Sequence, residues 1–242
     1  MKGKHGKKTA ALTDDATAIV ALAAHELKNA LGGIGVALAR CEQKLQAGKA
    51  VVRDDLAMAR IEVRRLSALV NDLLDGARVD LGDVYVQRAP LDVTALAREV
   101  VEMFQAARER PVALDLPPHP VMIEADSERL RGVLVNYLEN AMKYAPAPAA
   151  IALSVQEASA RGWVRISVHD EGPGIQPEDQ GRLFQRFFRL PAAARGTQGL
   201  GLGLYLCRAI AEAHGGAVGV DSTPGEGATF WIELPSPGSR PG

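Results

Sequence analysis

Apolar residues in the first eighty positions recur at helical spacing. Val20, Ala24, Leu27, Leu31, Ile34, Leu38, Cys41 and Leu45 follow at steps of four and three, a stripe along one helix face. The stretch QAGKAVVRD interrupts this pattern at Gly48. A second stripe follows in Leu56, Ala59, Val63, Leu66, Val70, Leu73 and Ala77, with Gly76 and Gly82 marking its end. Two antiparallel helices joined by a short loop are predicted. A lone hairpin buries too little apolar surface to be stable. A second copy completes a four-helix bundle, so residues 13–80 are expected to form a homodimer. Docking of the hairpin onto the rest of the chain is the other way to cover the stripe.

From residue 84 the period changes. YVQRAPLDV, VALDLP, VMIEAD, AIALSVQEA, WVRISVHDEG, AVGVDST and ATFWIELP read as short strands. Helical patterns lie between them near residues 94–109, 127–144 and 200–214. This interleaving predicts an α+β sandwich, a sheet with helices on one face. Pro90 and its neighbours mark the linker region. The chain divides into a basic flexible tail (1–12), the hairpin domain (13–82), the sandwich (83–236) and a second flexible tail (237–242).

Charge and composition change this picture little. The net charge of −1 gives no support for nucleic acid or an anionic membrane as a partner. Only MKGKHGKK is strongly basic. No apolar run reaches the ~18 residues of a membrane helix. ATAIVALAA resembles a signal-peptide core, but Asp14 and Asp15 precede it and it runs into HELK, so it reads as the start of a cytoplasmic helix. Cys41 and Cys207 belong to no CxxC pattern and are expected as covered thiols in a reducing compartment.

Candidate chemistry begins at AHELKNALGGI. His25 flanks the first stripe, Glu26 is its neighbour, and Asn29 lies one turn along the same face. By itself such a histidine is more often a solvated residue of a helix surface than a functional one. Gly32 and Gly33 each lower helix propensity by about 1 kcal/mol, which suggests a helix made easy to bend after His25. In NYLENAMKY, Asn136 and Asn140 share a helix face, and amide oxygens suit Mg²⁺. Lys143 can meet phosphate and Tyr144 can stack on a base. In DEGPGI, Asp170 closes a strand and can accept from an adenine amino group, while Gly172 and Gly174 permit close backbone approach. In GLGLGL, Gly199, Gly201 and Gly203, with Leu200 between them, open a helix whose N–H groups can meet phosphate. PGEGATF reads as a hairpin turn. The long irregular stretch from Gly174 to Gly199 carries Phe184, Phe187, Phe188, Arg182, Arg186, Arg189 and Arg195 and reads as a lid over a nucleotide.

Together these segments resemble the catalytic core of bacterial sensor histidine kinases along almost the whole chain. AHELKNAL resembles the H box, NYLENAMKY the N box, DEGPGI the first glycine box, LFQRFF the F box, GLGLGL the second glycine box and GEGATF the third, all in the family's order. HELKNALGGI looks like the nitrogen-regulation type. The resemblance implies a helical dimerisation and phosphotransfer domain followed by a Bergerat-type ATP-binding fold, with ATP and Mg²⁺ as cofactors. It implies His25 as phosphoacceptor, Glu26 as its base, and Asn140 with Asn136 at Mg²⁺. Lys143 would contact phosphate, Tyr144 would flank the base, and Asp170 would read the adenine amino group. Gly172, Gly174, Gly199, Leu200, Gly201, Gly203 and Thr229 would shape the nucleotide site. A response-regulator receiver domain is the implied partner, and Glu26-Leu27-Lys28-Asn29 matches the family's phosphatase pattern, with Asn29 orienting water.

Two departures stand out. Ala30 occupies the place where the family usually has a proline, so any bend depends on Gly32 and Gly33. Only about a dozen residues precede the first predicted helix, so the signal is expected from a separate sensor protein or from a part missing from this chain. Two rival readings remain. Gyrase-type and mismatch-repair ATPases share the nucleotide fold but carry a glutamate where this chain has Asn136, and they lack the histidine-bearing hairpin. A phosphotransfer scaffold with a decayed ATP site should have lost Asn140, Asp170 or the glycines, and all are present.

Overall fold

The structure is a computed structural model. It describes residues 4–50, 53–82, 84–108, 110–145, 147–158, 162–190 and 199–236, and within these the side chains from residue 23 onward except 53–55, 58 and 65. The chain divides into two compact units, residues 1–75 with 198–202, and residues 76–197 with 203–242.

The first unit holds the hairpin except for the last turn of its second helix, which falls in the second unit. Helix α1 spans Lys4–Gln46 and α2 spans Arg53–Asp80. α1 therefore begins ahead of position 13, inside the expected flexible tail; Ala and Lys, frequent there, are strong helix formers. It ends at Gly48 (φ 68°), where Gly48 N–H meets Leu45 O and Lys49 N–H meets Lys44 O, a Schellman cap.

The covered face of α1 differs from most of the apolar stripe by one position and shares Cys41 with it. Ala23, Glu26, Ala30, Ala37 and Cys41 are buried, whereas Ala24, Leu31, Leu38 and Leu45 are exposed. On α2, Ala59, Leu69 and Gly76 are buried, whereas Leu56, Val63 and Val70 are exposed. Small residues, which let helices approach closely, make up most of the covered positions, and most of the large apolar residues, Leu69 apart, lie outside. Val20 lies outside the described side chains. Gly33 is part of the same close approach: a Cβ there would meet Glu62 Cγ at 2.8 Å. α1 is continuous through Gly32 and Gly33, so Gly33 provides clearance for α2 where a bend is expected.

The second unit is the sandwich. Strands β1 (Ala89–Asp92) and β3 (Met122–Ala125) form a small antiparallel sheet. Pro90 sits within β1, paired with Glu124; an edge strand tolerates its missing N–H, so this is sheet and not linker. The main sheet has the order β2-β4-β5-β7-β6, built from β2 (Ala113–Asp115), β4 (Ile151–Ala158), β5 (Trp163–Asp170), β6 (Ala217–Thr223) and β7 (Gly227–Pro235). β2 pairs with β4 in parallel, and the other pairs are antiparallel.

Register gives the sheet one apolar face. Leu153, Val168 and Phe230 align across three strands, as do Val155, Ile166 and Ile232. All six belong to one buried core with Leu96, Val100 and Phe104 of α3 (Val93–Arg108) and Leu130, Leu134, Tyr137 and Leu138 of α4 (Ser127–Tyr144). Cys207 and Ala211 of α6 (Gly203–Ala213) join it. The opposite face is polar: Ser154 bonds Ser167 at 2.8 Å, and Arg165 pairs with Glu233 at 2.8 Å while stacking 4.3 Å over Trp231. Asp126 caps α4, its Oδ1 accepting from the N–H groups of Glu128 and Arg129.

Candidate functional site

In the hairpin, His25 and Asn29 are both exposed and lie one turn apart, so the structure brings them to one accessible surface. Glu26 is only 6% exposed. Successive helical residues diverge by about 100°, which turns its carboxylate to the covered side. Ala30 is fully buried.

In the second unit, α4, the end of β5 and the start of α6 converge. Asn140 Nδ2 donates to Asn136 Oδ1 at 3.1 Å, and both side chains are half-buried. The N-terminus of α6 presses on this pair: a Cβ at Gly203 would overlap Asn136 Nδ2. Lys143 is exposed and its Nζ lies 5.2 Å above the Tyr144 ring. Tyr144 reaches Asp170 through the backbone of Gly172, where a Cβ would lie 2.6 Å from Asp170 Oδ1 and 3.1 Å from Tyr144 O.

Asp170 is the buried acid among the described residues of the unit, 4% exposed. Burial pushes its carboxyl above the usual range, against the Gly172 N–H bond at 2.9 Å and the charges of His169 and Arg110. An acid held at this cost at a strand end is a functional-site candidate.

The lid stretch has more structure than its pattern shows. Its root is tied to the β6–β7 turn: Gly225 N–H donates to Pro173 O (2.8 Å), Ile175 N–H to Ser222 Oγ (3.0 Å), and Gln180 Nε2 to Ser222 O (2.8 Å). Gly174, at φ 69°, lies where a Cβ would overlap Thr223 O. The third glycine segment is thus a hairpin turn that also anchors the start of the stretch after Gly174. A short helix α5 (Pro177–Gln180) follows. Leu183 and Phe184 are buried in the core, Phe184 edge-on to Phe230 at 6.4 Å. Arg182 stacks on Phe188 (4.5 Å) and Arg186 on Phe187 (4.6 Å). Arg186 pairs with Asp80, which also accepts from Tyr205 Oη at 3.0 Å. Arg195 lies outside the described residues.

Gly199 and Gly201 both have positive φ (135° and 69°), and Leu200 is buried. They belong with the first unit. The Thr229 side chain is not brought to Asp170 either. Ala228 is the residue paired with Asp170, and alternation puts Thr229 on the opposite face, where its Oγ1 meets His169 Nδ1 at 3.0 Å.

Several organising residues carry no local sequence signal. Arg110 donates to Ala145 O (2.7 Å) and Ala149 O (2.6 Å), bracing the segment after α4. His214, 1% exposed, accepts from Asp126 N–H at 2.9 Å. Among the described residues no group of three or more His, Cys, Asp or Glu could hold a metal ion, and no helix is long and apolar enough to cross a membrane.

Comparison with known proteins agrees with this arrangement. Residues 16–82 match the His Kinase A (phospho-acceptor) domain family, and residues 125–238 match the histidine kinase-, DNA gyrase B- and HSP90-like ATPase family. The adaptive-response sensory kinase SasA of Thermosynechococcus vestitus is 36% identical over 230 residues, covering 90% of this chain and 59% of that protein. The SasA of Synechocystis is 33% identical over 225 residues, covering 90% and 58%. The chain thus spans about three fifths of the curated relatives it matches. Full-length ShkA in complex with AMPPNP has a TM-score of 0.64 at 30% identity, covering 93% of this chain and 47% of that one. The Acinetobacter baumannii histidine kinase AdeS has a TM-score of 0.65 at 25% identity, covering 88% and 98%. None of these relatives' names refers to nitrogen regulation. With a phospho-acceptor domain followed by an ATP-binding domain of the HATPase_c family, the chain belongs to the sensor histidine kinases as a catalytic core.

Proposed function

We propose that the chain phosphorylates itself on His25 from ATP and passes the phosphoryl group to an aspartate of a response-regulator receiver domain. One observation supports this reading above the others. A single chain joins an exposed helical histidine to a second unit in which Asp170, Asn140 and Gly203 converge.

In this reading Asp170 accepts from the adenine amino group, with Gly172 leaving room for the base and Tyr144 flanking it. Lys143 meets phosphate. Gly174, Gly199, Leu200, Gly201 and Gly203 bound the lid, and Thr229 supports the sheet behind it through His169. Asn140, with Asn136 beside it, would hold Mg²⁺ through amide oxygen, and a hard cation accepts such ligands. The ion supplies charge neutralisation to phosphoryl transfer. A ring nitrogen of His25 attacks the γ-phosphorus, the P–N bond forms, and the bond to the β–γ bridging oxygen breaks to release ADP. Glu26 is assigned as the base on the family resemblance. Its carboxylate lies on the covered side, so taking the proton requires α1 to rotate or open.

The exposed rows Leu31, Leu38, Leu45 and Leu56, Val63, Val70 repeat every seven residues. They suit a second copy of the hairpin, giving a homodimeric four-helix bundle. We place the domain limits at 13–82 and 83–236, with α1 extending back from the first of them to Lys4, and the core on the cytoplasmic side, where ATP is available. Input from a separate sensor protein fits the same reading. Asn29, beside His25 on the exposed face, is positioned to orient water for dephosphorylating the partner.

The test is transfer. Chain labelled from γ-labelled ATP is mixed with receiver domains. Loss of label from the chain with gain of base-labile label on one receiver is expected. Label that stays on the chain with every receiver contradicts the transfer step.

A further inference from the structure

α4 and α6 are antiparallel and touch at two polar points. At one end His214, directly after α6, meets Asp126, directly before α4. At the other, Gly203 meets Asn136. Ten residues of α4 (126 to 136) and eleven of α6 (203 to 214) separate the points, about 15 Å of helix. Between them α6 buries the small side chains Cys207, Ala209 and Ala211, with Leu204 and Ile210 partly buried against the core; none of these contacts is directional, so the two polar points are the ones that specify register.

His214 is held as one tautomer. Its Nδ1 is 2.8 Å from Ile210 O, which can only accept, and its Nε2 is 2.9 Å from Asp126 N–H, which can only donate. Nδ1 therefore carries the proton and Nε2 is bare. The charged groups facing the ring are the Asp126 carboxylate and the Arg88 guanidinium, which donates to Ala213 O at 2.6 Å. Burial is the largest influence and lowers the basicity of His214, and Arg88 adds to it; the Ile210 carbonyl and Asp126 oppose them. A proton on Nε2 would set N–H against N–H.

We infer that His214 is a positioning residue for nucleotide binding: its bare Nε2, by holding Asp126, sets the register of α6 on α4 and so the place where Gly203 meets the Asn136–Asn140 pair. The inference rests on the reading of that pair as part of the ATP site.

The test uses the full chain and the nucleotide AMPPNP at pH 8. His214→Gln places an amide oxygen near the position of Nε2, whereas His214→Asn keeps a polar group near Nδ1 but is too short to reach Asp126. The Gln variant is expected to bind within about twofold of wild type, and the Asn variant about three- to tenfold more weakly, the worth of one hydrogen bond. Equal affinities in the two variants, or weaker binding by Gln than by Asn, would overturn the inference. Wild type that binds no AMPPNP would overturn the ATP-site reading along with it. A second measurement avoids variants that fold poorly. Imidazole ¹⁵N shifts of His214 are followed against pH with and without saturating AMPPNP. Linkage is reciprocal, so nucleotide should lower the His214 pKa further, and a pKa unmoved by nucleotide would also overturn the inference.

Discussion

Gly203→Ala should separate folding from nucleotide binding. In an unobstructed helix, replacing Gly by Ala stabilises by about 0.5–1 kcal/mol. Gly132 provides the control. It lies exposed within α4, with nothing within 4 Å of an added Cβ, so Gly132→Ala should raise Tm by about 1–4 °C. At Gly203 the new methyl overlaps Asn136 Nδ2. That atom ends a two-torsion side chain, so Asn136 can rotate away. Doing so costs about 0.5–1.5 kcal/mol of rotamer strain. The 3.1 Å bond to Asn140 is lost as well, about another 0.5–1.5 kcal/mol. Against the helix gain, the net destabilisation is about 0–2.5 kcal/mol, which leaves the chain folded. Nucleotide affinity should fall about tenfold or more, because a contact to a charged ligand carries about 1.5–3 kcal/mol. Calorimetry and AMPPNP titration of both variants provide the readout. A Gly203→Ala protein that gains Tm like Gly132→Ala and binds nucleotide as wild type does would refute the Gly203–Asn136 contact.

Three further predictions follow from the same geometry. Burial raises the Asp170 carboxyl pKa, so this group stabilises the fold fully below its unfolded value and loses that contribution as pH rises through the folded one. Asp170→Asn should therefore raise Tm at pH 7 more than at pH 4 while weakening nucleotide binding, and a Tm at pH 7 equal to or below that of wild type contradicts this. Leu38→Asp, on the exposed row where Leu38 is 47% exposed, should weaken a dimer at least about a hundredfold, since burying one leucine is worth about 1.5–3 kcal/mol in each copy; sedimentation equilibrium showing an intact dimer would remove that row from the interface. Asn29→Ala should keep autophosphorylation and lose phosphatase activity toward the receiver, and full phosphatase activity in that variant would end its assigned role.

Local pattern carried much of the fold. α4 is legible from 127 to 144 because its cap, Asp126, and its apolar repeat are contiguous in sequence. Strands β4, β5 and β7 are legible because alternating burial shows as alternating residue type. The hairpin face was harder to read. A stripe drawn through the largest side chains finds the exposed row that suits a second copy, whereas the positions covered on α1 include Ala23, Ala30 and Ala37. Gly33 looks like a point of flexibility in sequence and proves to be clearance for Glu62. Thr229 sits in a glycine box, yet strand alternation carries its side chain away from Asp170. Arg110 reaches 35 and 39 residues ahead, and His214 pairs 88 residues back. No periodicity over a window of ten or twenty residues can disclose such pairs.

The role of His25 is tested most directly by incubation with γ-labelled ATP and Mg²⁺, comparing wild type with His25→Ala. His25 is exposed on α1, so the substitution removes no core packing and the variant should fold and bind nucleotide as before. Acid-labile, alkali-stable label on wild type alone is the predicted result. Equal label on the His25→Ala protein would contradict it and move the phosphoacceptor elsewhere in the chain.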